Sequence, residues 1–339
     1  MQEILRHFPT LVLGFIVYSC SGEPLDVDVS DIEVQIEFVR VEQKLAEAKS
    51  VADIKTVNRD LINSCGELYE FYMYELLQVP VEHDSIGEYL WYFQTDPVIR
   101  EVNEDIRKKF EDISGLEDQV VDMFKHLRFH LDSAPVPKQV ITYNSAFRFG
   151  VTSSDQQVGI GLDMYLGGSN RNIAQLVEFP QYMKAKMDEE YLPVDIAHSW
   201  IINNILNGQP GETFLSYMVH YGKLLYVVDA MLPDLADHLK IRYTQSEYEF
   251  GIVSEYDIWE FLVDMDWIYS SEIKVLMRYF HDAPTTVDIE GSPDRIGQFM
   301  GWQMVRQYME KNPEVTVSDL VEETNESKIL KAYKPEPYE

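Results

Sequence analysis

The side chain with the clearest chemical potential in this sequence is His198, which lies in an almost wholly apolar stretch from Pro193 to Leu206. It is the only titratable side chain of that stretch after Asp195. An imidazole in such a place is either part of a site, as a metal ligand or a base, or a hydrogen-bonded group of the core. The residues spaced around it decide between these two roles.

The spacing around His198 resembles that of zinc-dependent peptidases of the gluzincin type. In those enzymes H-E-x-x-H places two ligands and the general base on one helix, and a second helix supplies a glutamate. Here the string is HSWII, with Ser199 at the base position, Ile202 at the second ligand and Tyr221 as the counterpart of the glutamate. One imidazole does not hold zinc, and a serine cannot replace the carboxylate. We therefore expect a degenerate motif, with no catalytic residue, no metal and no cofactor.

The former metal site is predicted to be filled and closed. Ile202 and Tyr221 would place a branched alkyl group and a phenol where two ligands would stand, and burying each stabilises by roughly 1.5–3 kcal/mol. The imidazole of His198 would then stay neutral and bond to the Tyr221 hydroxyl or to a backbone carbonyl.

Two alternatives to a degenerate motif stay open from the residues alone. His198, His220 and Asp195 would form an unusual site, which makes a zinc-dependent peptidase with a non-standard site the rival function. A periplasmic peptide-binding or chaperone module that uses the old substrate cleft is the second. The sequence has no GxSxG, P-loop or CxxC motif that would indicate another enzyme class.

Two apolar helical segments within 193–229, joined by the turn from Gly208 to Gly211, are predicted to form the central hairpin of the fold. Val194, Ala197 and Ile201 recur at helical spacing in the first segment. A helix this apolar is expected to be buried on most sides.

The predicted fold class is α+β, mainly helical with a small antiparallel sheet and a degenerate zincin-like architecture. Apolar residues alternate over 31–39, and three further β-like runs, 140–144, 147–153 and 157–166, are predicted to form a meander. Gly159 and Gly161 in the last run indicate close packing or a bulge and not a phosphate loop. A helical subregion covers about 41–134, and helices are predicted at 245–264, 271–281, 292–311 and 317–332.

Gly297 and Gly301 lie four residues apart in the predicted helix from Ser292 to Lys311. Two glycines on one face cost about 2 kcal/mol of helix propensity, so a neighbouring backbone is expected to approach that face closely. We predict a structural role in packing for both. A functional groove is the alternative.

The chain is strongly acidic, with a formal net charge of −30, which argues against nucleic acids and anionic membrane surfaces as partners. Residues 1–19 have the pattern of a lipoprotein signal peptide that ends before Cys20, although Tyr18 is bulky for that position. Residues 20–30 would then be a lipidated cysteine and a polar tether, and 31–339 a single globular domain. No disulfide framework is expected, because Cys65 would be the only other thiol.

Four strings, together with the leader that ends at Cys20, resemble the GldB family of gliding-motility lipoproteins. They are DPVIREVNEDIRKKFEDISGLEDQV, VGIGLDMYLG, MVHYGKLLYVVDAMLPDLADHLKIRYTQ and SPDRIGQFMGWQMVRQYMEKNPEVTVSDLV. The resemblance spans nearly the whole chain after the leader. Its last two strings are the most specific.

The resemblance implies a pseudoenzyme, remotely related to gluzincin-type peptidases, that gliding motility requires. It implies a lipid on Cys20 that holds the protein at a membrane of the cell envelope, exposed to the periplasm. Envelope proteins of the gliding apparatus, coupled to type IX secretion, are the expected partners. No small-molecule substrate is expected.

Overall fold

The sheet of this computed structural model is mixed, and its strand order in the described residues, 25–206 and 208–338, is β1-β2-β4-β3. Two of the three pairings, β1 with β2 and β2 with β4, are parallel, and β3 runs antiparallel to β4. The strands are β1 (Glu37–Arg40), β2 (Gln139–Tyr143), β3 (Val151–Ser153) and β4 (Gln157–Gly161).

The predicted antiparallel meander is therefore wrong, although its last turn, between β3 and β4, is a hairpin. The chain after β2 does not turn back beside that strand but crosses to the far side of β4. The buried carboxylate of Asp163 fixes this crossing, because it accepts hydrogen bonds from the backbone and hydroxyl of Ser145 and from the amide of Phe147. Ala146 and Phe147 both take left-handed backbone angles there. Burial raises the pKa of Asp163 to about 6.

Strand β1 is shorter than the predicted strand over 31–39. Its first paired residue, Glu37, lies opposite Gln139, so earlier residues would need partners before position 139. Pro135 and Pro137 occupy that segment, and a proline has no N–H to donate to a ladder. Residues 32–36 consequently have no strand pairing.

The sheet separates two groups of buried side chains. In β2, Val140 faces the larger core, whereas Ile141 and Tyr143 face the smaller one, as the period of a strand requires. The smaller core is covered by α1 (Val41–Ala46), α2 (Val51–Leu77) and α3 (Ile86–Thr95). The helices α4 (Pro97–Lys109) and α5 (Ser114–His130) complete the predicted helical subregion but pack into the larger core.

The predicted helical hairpin forms the centre of the larger core. Two short helices, α6 (Arg171–Gln175) and α7 (Gln181–Lys184), lead into α8 (Leu192–Asn204) and α9 (Phe214–Met231). Val194, Ala197 and Ile201 are fully buried on α8. Almost every side chain of α9 after Tyr221 is also buried, so this part of the prediction is confirmed.

The C-terminal third is helical, as predicted. It consists of α10 (Asp237–Lys240), α11 (Gln245–Asp264), α12 (Ile273–Phe280), α13 (Ile296–Lys311), α14 (Val317–Glu322) and α15 (Glu326–Ala332). The predicted helix start at Ser292 is wrong, because α13 begins at Ile296. In a helix that started at Ser292, the carbonyl of Pro293 would accept a hydrogen bond from the backbone amide of Gly297. Here that carbonyl accepts from the hydroxyls of Thr286 and Ser292 instead.

Helices α9 and α13 touch through their backbones at the predicted glycine face. A Cβ atom built on Gly301 would lie 2.0 Å from the carbonyl oxygen of Met218, and one on Gly222 would lie 2.2 Å from that of Gly301. A Cβ on Gly297 would meet the Phe280 ring at 2.7 Å. Gly159 and Gly161 are equally crowded, as expected for close packing.

A partly buried ion network ties α9, α10 and α13 together. The guanidinium of Arg306 forms paired hydrogen bonds to Asp229 and Asp237 at 2.7–2.9 Å and stacks on the Trp302 ring. The ammonium of Lys240 lies 3.2 Å from Asp229 and 3.4 Å from Asp237. Burial alone would raise the pKa of Asp237, but its hydrogen bonds and ion pairs with Arg306 outweigh this and lower the pKa to about 2.

None of the helices in the described part of the chain is long and apolar enough to cross a membrane. The predicted signal peptide and the lipidation site at Cys20 lie outside the described residues.

Candidate functional site

An open cleft of about 820 Å³ lies between β3, one face of α8 and the segment around α7. Its lining includes His198, Ser199 and Ile202, three of the four positions that the sequence assigns to a vestigial metal site. Lining residues also come from loops distant in sequence, among them Arg242 and Arg295. The cleft is therefore the natural candidate for a binding site.

The prediction that this site is filled is wrong. Ile202 is 51% exposed, and Tyr221 is not among the residues that line the cleft but stacks on the Phe280 ring at 5.8 Å. The core-facing stripe of α8 runs through Ala197 and Ile201, so Ile202 points away from the core. Closing the cleft over Ile202 would also strip water from charged groups on its wall, which costs more than burial of one alkyl group returns.

His198 is held as a neutral hydrogen-bonded ring, as predicted. Its Nε2 lies 3.1 Å from the backbone carbonyl oxygen of Lys240, and because a carbonyl only accepts, Nε2 carries the proton. Burial lowers the pKa of His198 to about 4; the charge of Asp195 opposes this effect, and Arg242 and Arg295 add to it. At neutral pH the ring therefore offers Nδ1 only as an acceptor.

The combination of His198, His220 and Asp195 is not brought together as one site. His220 is not among the cleft-lining residues and lies edge-on against Tyr221. Asp195 does line the cleft, but it accepts a hydrogen bond from the Tyr165 hydroxyl at 2.7 Å and pairs with an arginine. In the residues that the structure describes, no group of three or more His, Cys, Asp or Glu side chains is placed to hold a metal ion.

The hydroxyls in the cleft bond to each other and not to the histidine. Ser153 and Ser199 place their Oγ atoms 2.9 Å apart, and the Ser153 hydroxyl also lies 2.9 Å from the carbonyl oxygen of Ser199. Among the described residues neither hydroxyl hydrogen-bonds to His198. This arrangement does not provide the nucleophile and base pair of a serine hydrolase.

One wall of the cleft is formed by cations and carboxylates in near balance. Arg242 pairs with Asp195, and the ammonium of Lys186 lies 3.7 Å from Asp294. Arg295 is only 6% exposed. Its Nε lies 3.1 Å from Oδ1 of Asp282, but the N–H does not point at that oxygen, so the two groups form an ion pair without a hydrogen bond. Three cations therefore face three carboxylates, which places little net charge on this wall of a chain whose net charge is −30. The cations are Lys186, Arg242 and Arg295, and the carboxylates are Asp195, Asp282 and Asp294.

Sequence reasoning missed this charged wall. Arg242 and Arg295 both have left-handed backbone angles, φ 57° and 50°; Arg295 directly precedes α13, and Arg242 lies two residues after the end of α10. Non-glycine residues with positive φ are uncommon and cluster at functional sites. The sequence pattern did not mark either position, because Arg295 lies inside the helix predicted over 292–311 and α10 was not predicted.

The family described as "Gliding motility protein GldB" matches residues 22–335. Neither the curated proteins nor the solved structures include a match to the chain. Since the matched segment covers nearly all of the sequence, the chain belongs to the GldB family of gliding motility proteins.

Proposed function

We propose that this gliding motility protein is a lipid-anchored, non-catalytic component of the cell envelope that acts with the gliding apparatus and with type IX secretion. The observation that carries the non-catalytic part is the state of His198. It is a neutral ring committed to a backbone carbonyl, with Ser199 and Ile202 where a zinc peptidase needs a base and a ligand. A remote relationship to gluzincin-type peptidases is part of this proposal.

The anchor is tested by replacing Cys20 with Ser. Several acyl chains on one cysteine give stable membrane attachment, whereas the acidic chain gains nothing from anionic lipids. The variant is expected to accumulate as precursor or to leave the membrane fraction, which immunoblots of fractionated cells and the mass of the mature protein would measure. Cys65→Ala is the matched control and should stay membrane-bound. Unchanged size and fractionation of Cys20→Ser would contradict the anchor.

Cells that carry His198→Gln are expected to keep gliding. The purified variant is expected to differ from the unaltered protein in its stability at acid pH. The pKa of His198 is about 4 in the folded protein and near 6.5 when unfolded, so its neutral form adds stability above pH 6.5 that is lost as the pH falls towards 4. The difference corresponds to about 3 kcal/mol. Between pH 7 and 4 the free energy of unfolding of His198→Gln should therefore fall less than that of the unaltered protein, by up to this amount.

Denaturant unfolding at a series of pH values measures this stability, and colony spreading measures gliding. A folded His198→Gln variant that no longer glides would make the histidine functional. Stoichiometric zinc in the purified protein, together with peptidase activity that depends on it, would favour the rival function of a peptidase with a non-standard site.

A further inference from the structure

The outer edge of β3 faces the cleft with unpaired backbone groups. The amide of Gly161 donates to the carbonyl of Gly150, and that of Ser154 donates to the carbonyl of Gln157. Alternate residues of an antiparallel strand direct their N–H and C=O groups to opposite sides. The backbone groups of Val151 and Ser153 consequently point away from β4, and both residues line the cleft.

Helix α8 closes only one end of this edge. The side-chain amide of Asn203 donates to the carbonyl of Ser153 at 3.2 Å, and the side-chain amide of Asn204 donates to the carbonyl of Ser154 at 3.2 Å. Within the described part of the chain, the N–H and C=O of Val151 and the N–H of Ser153 have no protein partner. A row of unpaired groups at a sheet edge is a template for another extended chain.

The surroundings of this edge are apolar and adaptable. Three methionines line the cleft, and methionine side chains adjust to differently shaped partners. Ile202 and Phe71 also line it and are 51% and 41% exposed, so apolar surface is available to side chains of a bound segment. The methionines are Met164, Met183 and Met187.

We propose that the cleft binds an extended segment of a partner polypeptide, which pairs with the edge of β3 and places apolar side chains against the methionine-rich lining. Three backbone hydrogen bonds, two at Val151 and one at Ser153, provide the pairing. The volume of about 820 Å³ suits a short peptide segment. This inference goes beyond the proposed function and does not rest on it.

The charge of the chain favours a partner polypeptide over a second copy of this protein. A second copy would bring another formal charge of −30 to the interface, which opposes association. Because cations and carboxylates balance on the charged wall, this wall does not select for a positively or a negatively charged ligand. Recognition then comes from backbone pairing and apolar contacts, which tolerate many sequences.

The probe for the test is a fluorescein-labelled peptide of alternating valine and threonine with lysines at its ends. Its affinity for the full-length protein is measured by fluorescence anisotropy. A matched peptide carries N-methyl groups on alternate amides, which removes the donors along one edge and leaves the side chains unchanged. N-methylation is expected to weaken binding at least about tenfold, which equals 1.4 kcal/mol.

Val151→Pro tests the same bonds from the protein side. Proline is tolerated on edge strands, and here it removes only the N–H that faces the cleft. Val151→Thr keeps that N–H and serves as the control. We expect Val151→Pro to weaken binding about tenfold or more and Val151→Thr to change it less than about threefold. Circular dichroism establishes that each variant is folded.

If Val151→Pro does not fold, the two peptides on the unaltered protein decide. No binding of the parent peptide, equal binding of both peptides, or full binding by a folded Val151→Pro variant would each overturn the proposal. A photo-crosslinking residue at Ile202 identifies the occupant in cells. Crosslinks to a different polypeptide support the proposal, whereas crosslinks only to a second copy or to the protein's own N-terminal segment overturn it.

Discussion

Replacing Arg306 by Met is expected to lower the free energy of unfolding by about 3 kcal/mol, the lower end of what breaking a buried ion pair costs. The guanidinium makes four hydrogen bonds to Asp229 and Asp237; Asp229 is 4% exposed, whereas the side chains of Arg306 and Asp237 are 26% and 32% exposed. Without Arg306, Lys240 is the cation that these two carboxylates keep in the described part of the chain. Removal of one partner from this network is costly because the charge of Asp229 stays desolvated and incompletely paired.

Arg107→Met is the matched control. Arg107 also makes two hydrogen bonds to a carboxylate, that of Glu104, but both side chains are about half exposed. An exposed pair contributes about 0–1 kcal/mol, so this variant should unfold almost as the unaltered protein does. Urea unfolding at pH 7 would measure the free energy of unfolding of both variants. Equal losses in the two variants would mean that the buried network does not hold α9, α10 and α13 together.

The same network reaches the candidate site. The carbonyl that fixes the His198 ring belongs to Lys240, whose ammonium is bound by Asp229 and Asp237. A loss at Arg306 is therefore expected to disturb the cleft as well as the core. Sequence patterns gave no indication of this link, because its members are separated by up to 108 residues along the chain, from His198 to Arg306.

Local chemistry explains which elements were predictable. Helix α11 was predicted at Gln245–Asp264 and lies there, since Thr244 and Glu247 form a capping box at its start. The hairpin of α8 and α9 followed from apolar periodicity that persists over many residues. In both cases the determining residues lie inside the element or directly before it.

Long-range contacts explain what was not predictable. The strand order depends on Asp163, which holds the segment from Ser145 to Phe147 and sends the chain past β4. The charged wall of the cleft depends on Arg242, which pairs with Asp195 of α8, and on Arg295, and both come from segments far along the chain. The HSWII string correctly predicted a neutral, bonded His198, but it contained no information about this charged wall.

The close contact of α9 with α13 makes Gly301 sensitive to any larger side chain. Even Ala at Gly301 would place its Cβ 2.0 Å from the carbonyl oxygen of Met218, and the obstacle is backbone, which cannot rotate away as a side chain does. Alanine gains about 1 kcal/mol of helix propensity over glycine, but overpacking costs typically 1–3 kcal/mol and more where backbones must separate. We expect Gly301→Ala to lower the melting temperature and Gly301→Leu to lower it further.

Gly115→Ala is the matched control, because this glycine lies in α5 and a Cβ there would meet nothing within 4 Å. The same substitution should therefore leave stability unchanged or raise it by up to about 1 kcal/mol. Opposite signs for the two Gly→Ala variants would separate close helix packing from intrinsic helix propensity. If both Gly301→Ala and Gly301→Leu melted normally but abolished gliding, the glycine face would be a functional groove. The added side chain would then disturb binding of a partner and not the packing of the fold.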